Sequence, residues 1–268
     1  MQGATTEYYE QESMFHGFIP HIMGTRFDLL LFHPDGSLLQ DIWESICHEL
    51  ESLDRTLNRF DPCSEVYMLN NHKPETPMPV SNELRTVLQL CEEYYERTCH
   101  LFDITRSDFG LLQITQEGVS FASPAIDLDF GGFGKGYALK KLENLIAGHG
   151  IDHAFANFGN SAIWGLGHHP YGDGWKIGFV NPYNGCTLHE FNLKNQSLST
   201  SGNTPQYAGH IIRPDTQTGN QALQASTVVA SDPLDAEVLS TVWMIANEEE
   251  KKETNACFPN TQATLYNL

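Results

Sequence analysis

Positive charge is scarce in this sequence. Lys and Arg number 15 against 34 Asp and Glu, leaving a formal net charge of −19. Repulsion on that scale excludes a nucleic-acid backbone or an anionic membrane surface as a general partner. A phosphate-rich ligand must then be met by local devices: backbone N–H groups, a divalent cation or a few placed cations. No stretch approaches the ~20 apolar residues that span a bilayer. The cysteines, at 47, 63, 91, 99, 186 and 257, form no C-x-x-C pair and no zinc-site spacing. Free thiols and a reducing compartment are expected. No repeat of fixed period and no low-complexity segment occurs. Met1 to Ser13 is polar and acidic, without a basic start, an apolar core or a lipidated cysteine. As it stands the sequence reads as cytoplasmic, and as exported only if a leader preceded it.

What is present is ordinary globular composition, 40% hydrophobic and 11% aromatic. The chain is organised around residues 126–138, Ile-Asp-Leu-Asp-Phe-Gly-Gly-Phe-Gly-Lys-Gly-Tyr-Ala. Alternation through Phe130 reads as the end of a strand, and from Tyr137 the apolar spacing turns helical through Ala138, Leu142, Leu145 and Ile146. A glycine-rich turn opening a helix presents backbone N–H groups to an anion, and Lys135 adds charge. The stretch is not a Walker loop, since Asp129 stands six residues before Lys135 and Gly136 follows it. Nor does it have dinucleotide-fingerprint spacing.

Before this stretch, Phe18 to Phe32 reads as strand interrupted at Met23-Gly24-Thr25. Ser37 is placed to cap a long helix with Leu39, Ile42, Trp43, Ile46, Leu50, Leu53 and Leu57 as its stripe. Ser81 is placed to cap another, with Leu84, Val87, Leu88, Cys91 and Tyr95 inward, and Gln113 to Phe121 reads as a hairpin. After it, strands are expected at 154–158, 162–166, 175–180, 188–193, 198–201, 211–212 and 225–230, then a helix from Pro233. The order gives an α+β fold.

Residues 129–138 resemble the D-[LI]-G-G-[IF]-G-K-G-Y-A signature of the ApbE family, the FAD:protein FMN transferases. Other blocks follow in family order: Met23-Gly24-Thr25; Leu57 to Asn70 with Phe60, Ser64 and Glu65; Phe102 to Thr105; Asn157 to Gly159; Thr200 to Gly202; His210 to Pro214; and Ala236 to Thr241. The resemblance runs from about Ile22 to Ala246. It implies one compact, T-fold-like α+β domain with a mixed, mostly antiparallel sheet and about four main helices. We place that domain at 18–250, between a flexible segment at 1–17 and a tail at 251–268.

The resemblance also implies a site. Met23, Phe60, Leu101, Phe102, Asp103, Asp129, Lys135 and Ile212 match positions lining FAD, and His210 matches the candidate base. Glu237, Thr241 and the carbonyl of Gly132 match the ligands of Mg²⁺. The residue types suit these roles: Phe60 for stacking, Asp103 and Asp129 for accepting hydrogen bonds, Lys135 for a pyrophosphate. Glu237 and Thr241 stand four apart on one helix face, and a carboxylate with a hydroxyl suits a hard cation. The implied reaction transfers FMN to a threonine of a target flavoprotein, such as a subunit of a Na⁺-pumping or Rnf-type redox complex. The family's D-[GA]-x-[ST]-[GS]-A-T acceptor pattern does not occur in this chain, so the acceptor is expected elsewhere.

Three departures stand out. Glu237 replaces the family's Asp, Arg213 reverses the charge of the Asp after His-Ile-Ile, and Gly159-Asn160-Ser161 replaces Gly-Gly-Asp. Arg213 is expected either to contact a phosphate or to mark lost function. Hydrolysis of FAD to FMN and AMP, and FAD binding without turnover, are the alternative readings.

Overall fold

Alternating apolar residues build the sheet, and in the computed structural model, which describes residues 3–268, they do so in chain order. Strands β1 (Thr5–Tyr9), β2 (Met14–Ile22) and β3 (Thr25–Phe32) precede helices α1 (Gly36–Leu57), α2 (Glu65–His72) and α3 (Asn82–Arg97). A small hairpin, β4 (Leu112–Ile114) and β5 (Val119–Phe121), leads to α4 (Gly134–Ile146). Then come β6 (His153–Phe158), β7 (Ala162–Leu166), β8 (Trp175–Val180), β9 (Thr187–Leu193) and β10 (Gln196–Gly202). The chain closes with β11 (Ile212–Arg213), β12 (Thr218–Gly219), β13 (Gln224–Ala230), α5 (Pro233–Trp243), α6 (Glu248–Cys257) and β14 (Gln262–Asn267).

One 8-stranded sheet has the order β1-β2-β3-β6-β7-β10-β13-β14. Every neighbouring pair is antiparallel. The helices and the smaller hairpins are therefore insertions in a meander. One face of the sheet packs on α1, α4 and α5 around Phe27, Leu29, Phe158 and Trp164. On it Trp43 of α1 lies over Gly17, where a Cβ would stand 2.4 Å from the indole. The other face carries a smaller cluster, Ile163, Trp175, Leu193, Leu198 and Val229, under the β8–β9 hairpin.

The mixed α+β class and the mostly antiparallel sheet follow the sequence reading, but the domain limits differ. Thr5–Tyr9 pairs with β2, and Gln262–Asn267 pairs with β13, so the segments read as a flexible lead and a tail form the two edges of the sheet. Polar edge strands carry little apolar alternation, which hid them. Helices α2 and α6 were not anticipated. Helix α6 buries only Thr254 and owes its start to a capping box of Asn247 and Glu250. Asp35, not Ser37, caps α1, and Tyr94, rather than Tyr95, is the buried tyrosine of α3. Residues 126–130 are extended but form no strand: the amides of Asp127 and Asp129 reach Thr105 and Ile104, while the Asn70 side chain takes both the amide and the carbonyl of Leu128. All six cysteines are unpaired thiols, and no described helix is long and apolar enough to cross a membrane.

Helix α4 meets α5 at Gly136, where a Cβ would lie 2.5 Å from Glu237 Cβ and 2.8 Å from the Pro233 carbonyl. Glycine inside a helix ordinarily costs about 0.5–1 kcal/mol relative to alanine. Here the sign should reverse: Gly136→Ala is expected to lose about 1–3 kcal/mol by overpacking, measured by urea denaturation. Gly178→Ala, where a Cβ meets nothing within 4 Å, should stay within about 0.5 kcal/mol of the wild type.

Candidate functional site

Two cavities, of about 1310 and 410 Å³, share the wall formed by Asp129, Gly131 and Lys135. The larger runs from the β8–β9 hairpin to α5. The smaller lies between the β2–β3 turn and the end of α1. Together they hold every candidate residue named from the sequence. Met23 and Phe60 line the smaller cavity, and Leu101, Phe102, Asp103, Gly132, His210, Ile212, Glu237 and Thr241 line the larger.

The glycine-rich turn explains this convergence. Asn70 pins Leu128, and Asp129 Oδ1 accepts from the amide of Gly131 at 3.0 Å, closing a local turn rather than capping the helix. Helix α4 then starts at Gly134 with no side-chain cap; the Gly134 amide donates to the Phe130 carbonyl at 2.8 Å, and Gly134 and Lys135 line the cavities. Met23 is held at φ 48° in the β2–β3 turn, with Gly24 at φ 80°, and its Cε would lie 3.0 Å from a Cβ on Gly134. A positive φ at methionine is unfavourable in a free chain. The two-residue hairpin, which needs positive φ at both central positions, imposes it.

Around Glu237 the structure gathers oxygen donors. Its side chain, 4% exposed, pairs with Lys135 Nζ at 2.5 Å through Oε1 and accepts from Ser199 Oγ at 2.7 Å through Oε2. Ser199, Ser240, Ser201 and Thr241 continue as a chain of hydroxyl contacts of 3.2, 2.8 and 3.3 Å. A Cβ on Gly132 would lie 3.0 Å from Thr241 Oγ1, so that backbone passes directly over the pair. No group of three His, Cys, Asp or Glu gathers among the described residues. One carboxylate, hydroxyls and a carbonyl are nevertheless hard donors of the kind Mg²⁺ accepts when phosphates and water supply the rest. The residues fit such an ion. The serines were not singled out from the sequence, although Ser199 and Ser201 alternate in a strand and so share one face.

Asp129 is not a free acceptor. Its Oδ2 takes Arg59 at 2.8 Å and Arg106 at 3.3 Å, and Arg59 also pairs with Asp127. The sequence reading does not single out these arginines, although Arg59 lies inside the Leu57–Asn70 block and Arg106 directly follows Phe102–Thr105. Asp103 is engaged too, accepting from the Thr105 amide and hydroxyl, each at 2.7 Å, and from the Phe109 amide at 3.1 Å. Burial raises its pKa above the ordinary Asp value despite these bonds. The two phenylalanines differ in kind. Phe60 is 81% exposed, with the Arg59 guanidinium 5.5 Å from its ring centre, whereas Phe102 is 5% exposed and packs on Tyr94 and Phe133.

His210 sits at the cavity rim, stacked on Tyr207 with ring centres 4.1 Å apart. Partial burial holds its pKa below the ordinary histidine value, so the ring is neutral near pH 7 and able to accept a proton. Arg213 does not serve a phosphate. Its guanidinium grips Asp215, Glu250 and the Ile245 carbonyl, fastening β11 to the start of α6 and away from the cavity lining. The charge reversal at this position is absorbed outside the site. Asn160, in the second departure, adopts φ 61° and ties Asn157 to Arg26.

The contrast between the phenylalanines is measurable. Phe102→Ala is expected to cost about 3–5 kcal/mol of stability. Phe60→Ala should leave the urea midpoint within about 0.5 kcal/mol of the wild type.

Comparison with known proteins places this geometry. A model of the ApbE family matches residues 23–112 and 107–265. An FAD:protein FMN transferase of Rhodobacter capsulatus is 28% identical over 147 residues, a match covering 52% of this chain and only 28% of that protein. The FAD:protein FMN transferase of Escherichia coli (strain K12) is 22% identical over 277 residues, covering 86% of this chain and 78% of the relative. The solved structure of the flavin transferase ApbE from Vibrio cholerae superposes with a TM-score of 0.81 at 18% identity, over 97% of this chain and 94% of that one. At that identity the likeness establishes the fold; the family match spans most of the sequence, and the chain belongs to the ApbE family.

Proposed function

We propose that this protein is a Mg²⁺-dependent FAD:protein FMN transferase. It would move the FMN half of FAD onto a threonine of a target flavoprotein, of the kind found in Na⁺-pumping or Rnf-type redox complexes, with release of AMP. The observation that carries the reading is a juxtaposition. Lys135 and the donors of Glu237, Thr241 and Gly132 meet where two cavities join, and the pair of cavities suits an elongated dinucleotide. The relatives named for this activity support the same reading.

In the reaction the threonine Oγ bonds to the phosphorus of the FMN half. The bond from that phosphorus to the bridging oxygen breaks, and AMP leaves with the electron pair. Positioning and charge neutralisation supply most of the rate in phosphoryl transfer. Phe60 offers an exposed face for a flat ring. The uncapped start of α4 and Lys135 face the diphosphate. His210, neutral and at the rim where a protein threonine would enter, takes the hydroxyl proton. Bound at Glu237 and Thr241, Mg²⁺ would neutralise the diphosphate charge. Gly136 leaves room for the Glu237 Cβ, and with its extra methylene the carboxylate still reaches Lys135 and Ser199.

The test is incubation with FAD, Mg²⁺ and an acceptor domain bearing the threonine motif. AMP release together with flavin fluorescence that survives denaturation on the acceptor, both abolished by EDTA, is the expected result. AMP without labelling would assign water as the acceptor, and neither product would leave a binding protein. His210→Asn should lower the rate about 10²–10⁴-fold with FAD affinity retained. Because burial lowers the His210 pKa, a base is present above that value and lost below it. The acid limb of the rate profile should therefore have its midpoint below 6.5, the ordinary histidine value.

A further inference from the structure

We infer that Lys135 competes with the divalent cation for Glu237, so that metal binds tightly only when an anionic ligand takes over the lysine's charge. This rests on the reading of Glu237, Thr241 and Gly132 as the cation site.

Both Glu237 oxygens are engaged. Oε1 holds Lys135 Nζ at 2.5 Å, and Oε2 holds Ser199 Oγ at 2.7 Å. The carboxylate is almost fully enclosed, and there an unpaired charge is costly, so this ion pair is the arrangement that lets Glu237 be buried. Lys135 has little else to hold it: among the described residues its other polar contact is the Gly131 carbonyl at 3.4 Å. A divalent ion ligated by Oε1 would stand against the ammonium, and like charges in an enclosed site repel strongly. The ammonium must therefore leave as the metal enters.

Where it can go is also fixed. Lys135 lines both cavities, and a lysine stem is long and flexible. Of the other carboxylates lining the two cavities, Asp129 already has Arg59 and Arg106, Asp103 is held by Thr105 and the Phe109 amide, and Asp54 takes the Asn58 side-chain amide. Among the described residues, every carboxylate on these walls has a hydrogen-bond or ion-pair partner before the lysine is displaced. A phosphate group of an incoming ligand would provide a further anion. Metal and anion then help each other, and each must strengthen the other by the same factor.

The test uses chelator-stripped full-length protein and Mn²⁺ as probe, followed by its paramagnetic resonance signal. Lys135→Met should bind Mn²⁺ about 10-fold or more tightly than the wild type. Lys135→Arg, which keeps the charge, should not. Adding Glu237→Gln to Lys135→Met should abolish the gain. In parallel, flavin fluorescence titrations should show Mg²⁺ tightening FAD binding about 10-fold in the wild type and much less in Lys135→Met. Equal or weaker Mn²⁺ binding by Lys135→Met, or an equal gain in Lys135→Arg, overturns the competition. If Glu237→Gln alone leaves wild-type Mn²⁺ binding unchanged, the cation-site reading itself falls. Should Lys135→Met fail to fold, Lys135→Gln replaces it with the same expected signs.

Discussion

Glu237 can occupy its place only because residue 136 has no side chain. A Cβ there would collide with both the glutamate stem and the first-turn carbonyl of Pro233. Helix α4 can thus approach α5 closely, which brings the glycine-rich turn over Thr241 and sets Lys135 against Glu237. The contact joins the start of one helix, with its Lys135, to the oxygen donors of the other. Loosening it would separate the two halves of the site before it exposed any core. Helix α5 is also held from beneath, where Ser199 and Ser201 of β10 reach Glu237, Ser240 and Thr241. The donors Glu237 and Thr241 are therefore backed by a sheet strand, while Phe60, Asp103, Asp129 and His210 reach the cavities from turns and loops.

A second constraint acts on residues 126–130. This segment crosses the molecule without a sheet partner, so its polar groups need individual satisfaction. Asn70, Ile104 and Thr105 provide it, and the side chains of Asp127 and Asp129 draw in Arg59 and Arg106. Three segments distant in sequence thereby fix one another. The blocks around Phe60, Phe102 and Asp129 are spatial neighbours for this reason.

The sequence conveyed the strands that bury an apolar face and the helices that carry an apolar stripe. It did not convey the edges, where β1 and β14 pair through the backbone with polar side chains outward. It did not convey α6 either, which starts at a capping box and buries only Thr254. The site divides similarly. The candidate ligand-binding residues that the motifs single out all fall on the cavity walls, while other residues of the same motifs, such as Asn70, hold the backbone around them. What motifs could not supply is partnership. That Asp129 is held by two arginines, Phe102 serves the core, and Arg213 is turned outward are outcomes of packing. Arg213 shows this best: a charge reversal inside a recognised block is absorbed by Glu250, in the first turn of a helix without an apolar stripe.

The scarcity of positive charge gives these partnerships a further meaning. Arg59, Lys73, Arg106 and Lys135 cluster around Asp127, Asp129 and Glu237, each already paired. A site built so presents little free positive potential, and on a chain of net charge −19 it would not attract polyanions from a distance. Selectivity must then arise at contact, through exchange of partners rather than steering. Of these cations Lys135 is the one whose carboxylate partner can itself be claimed by a metal, while Arg59 and Arg106 share a carboxylate that serves the turn. Exchange at Lys135 leaves the fold's own ion pairs intact, and that lets one lysine answer to a ligand while its neighbours hold the structure.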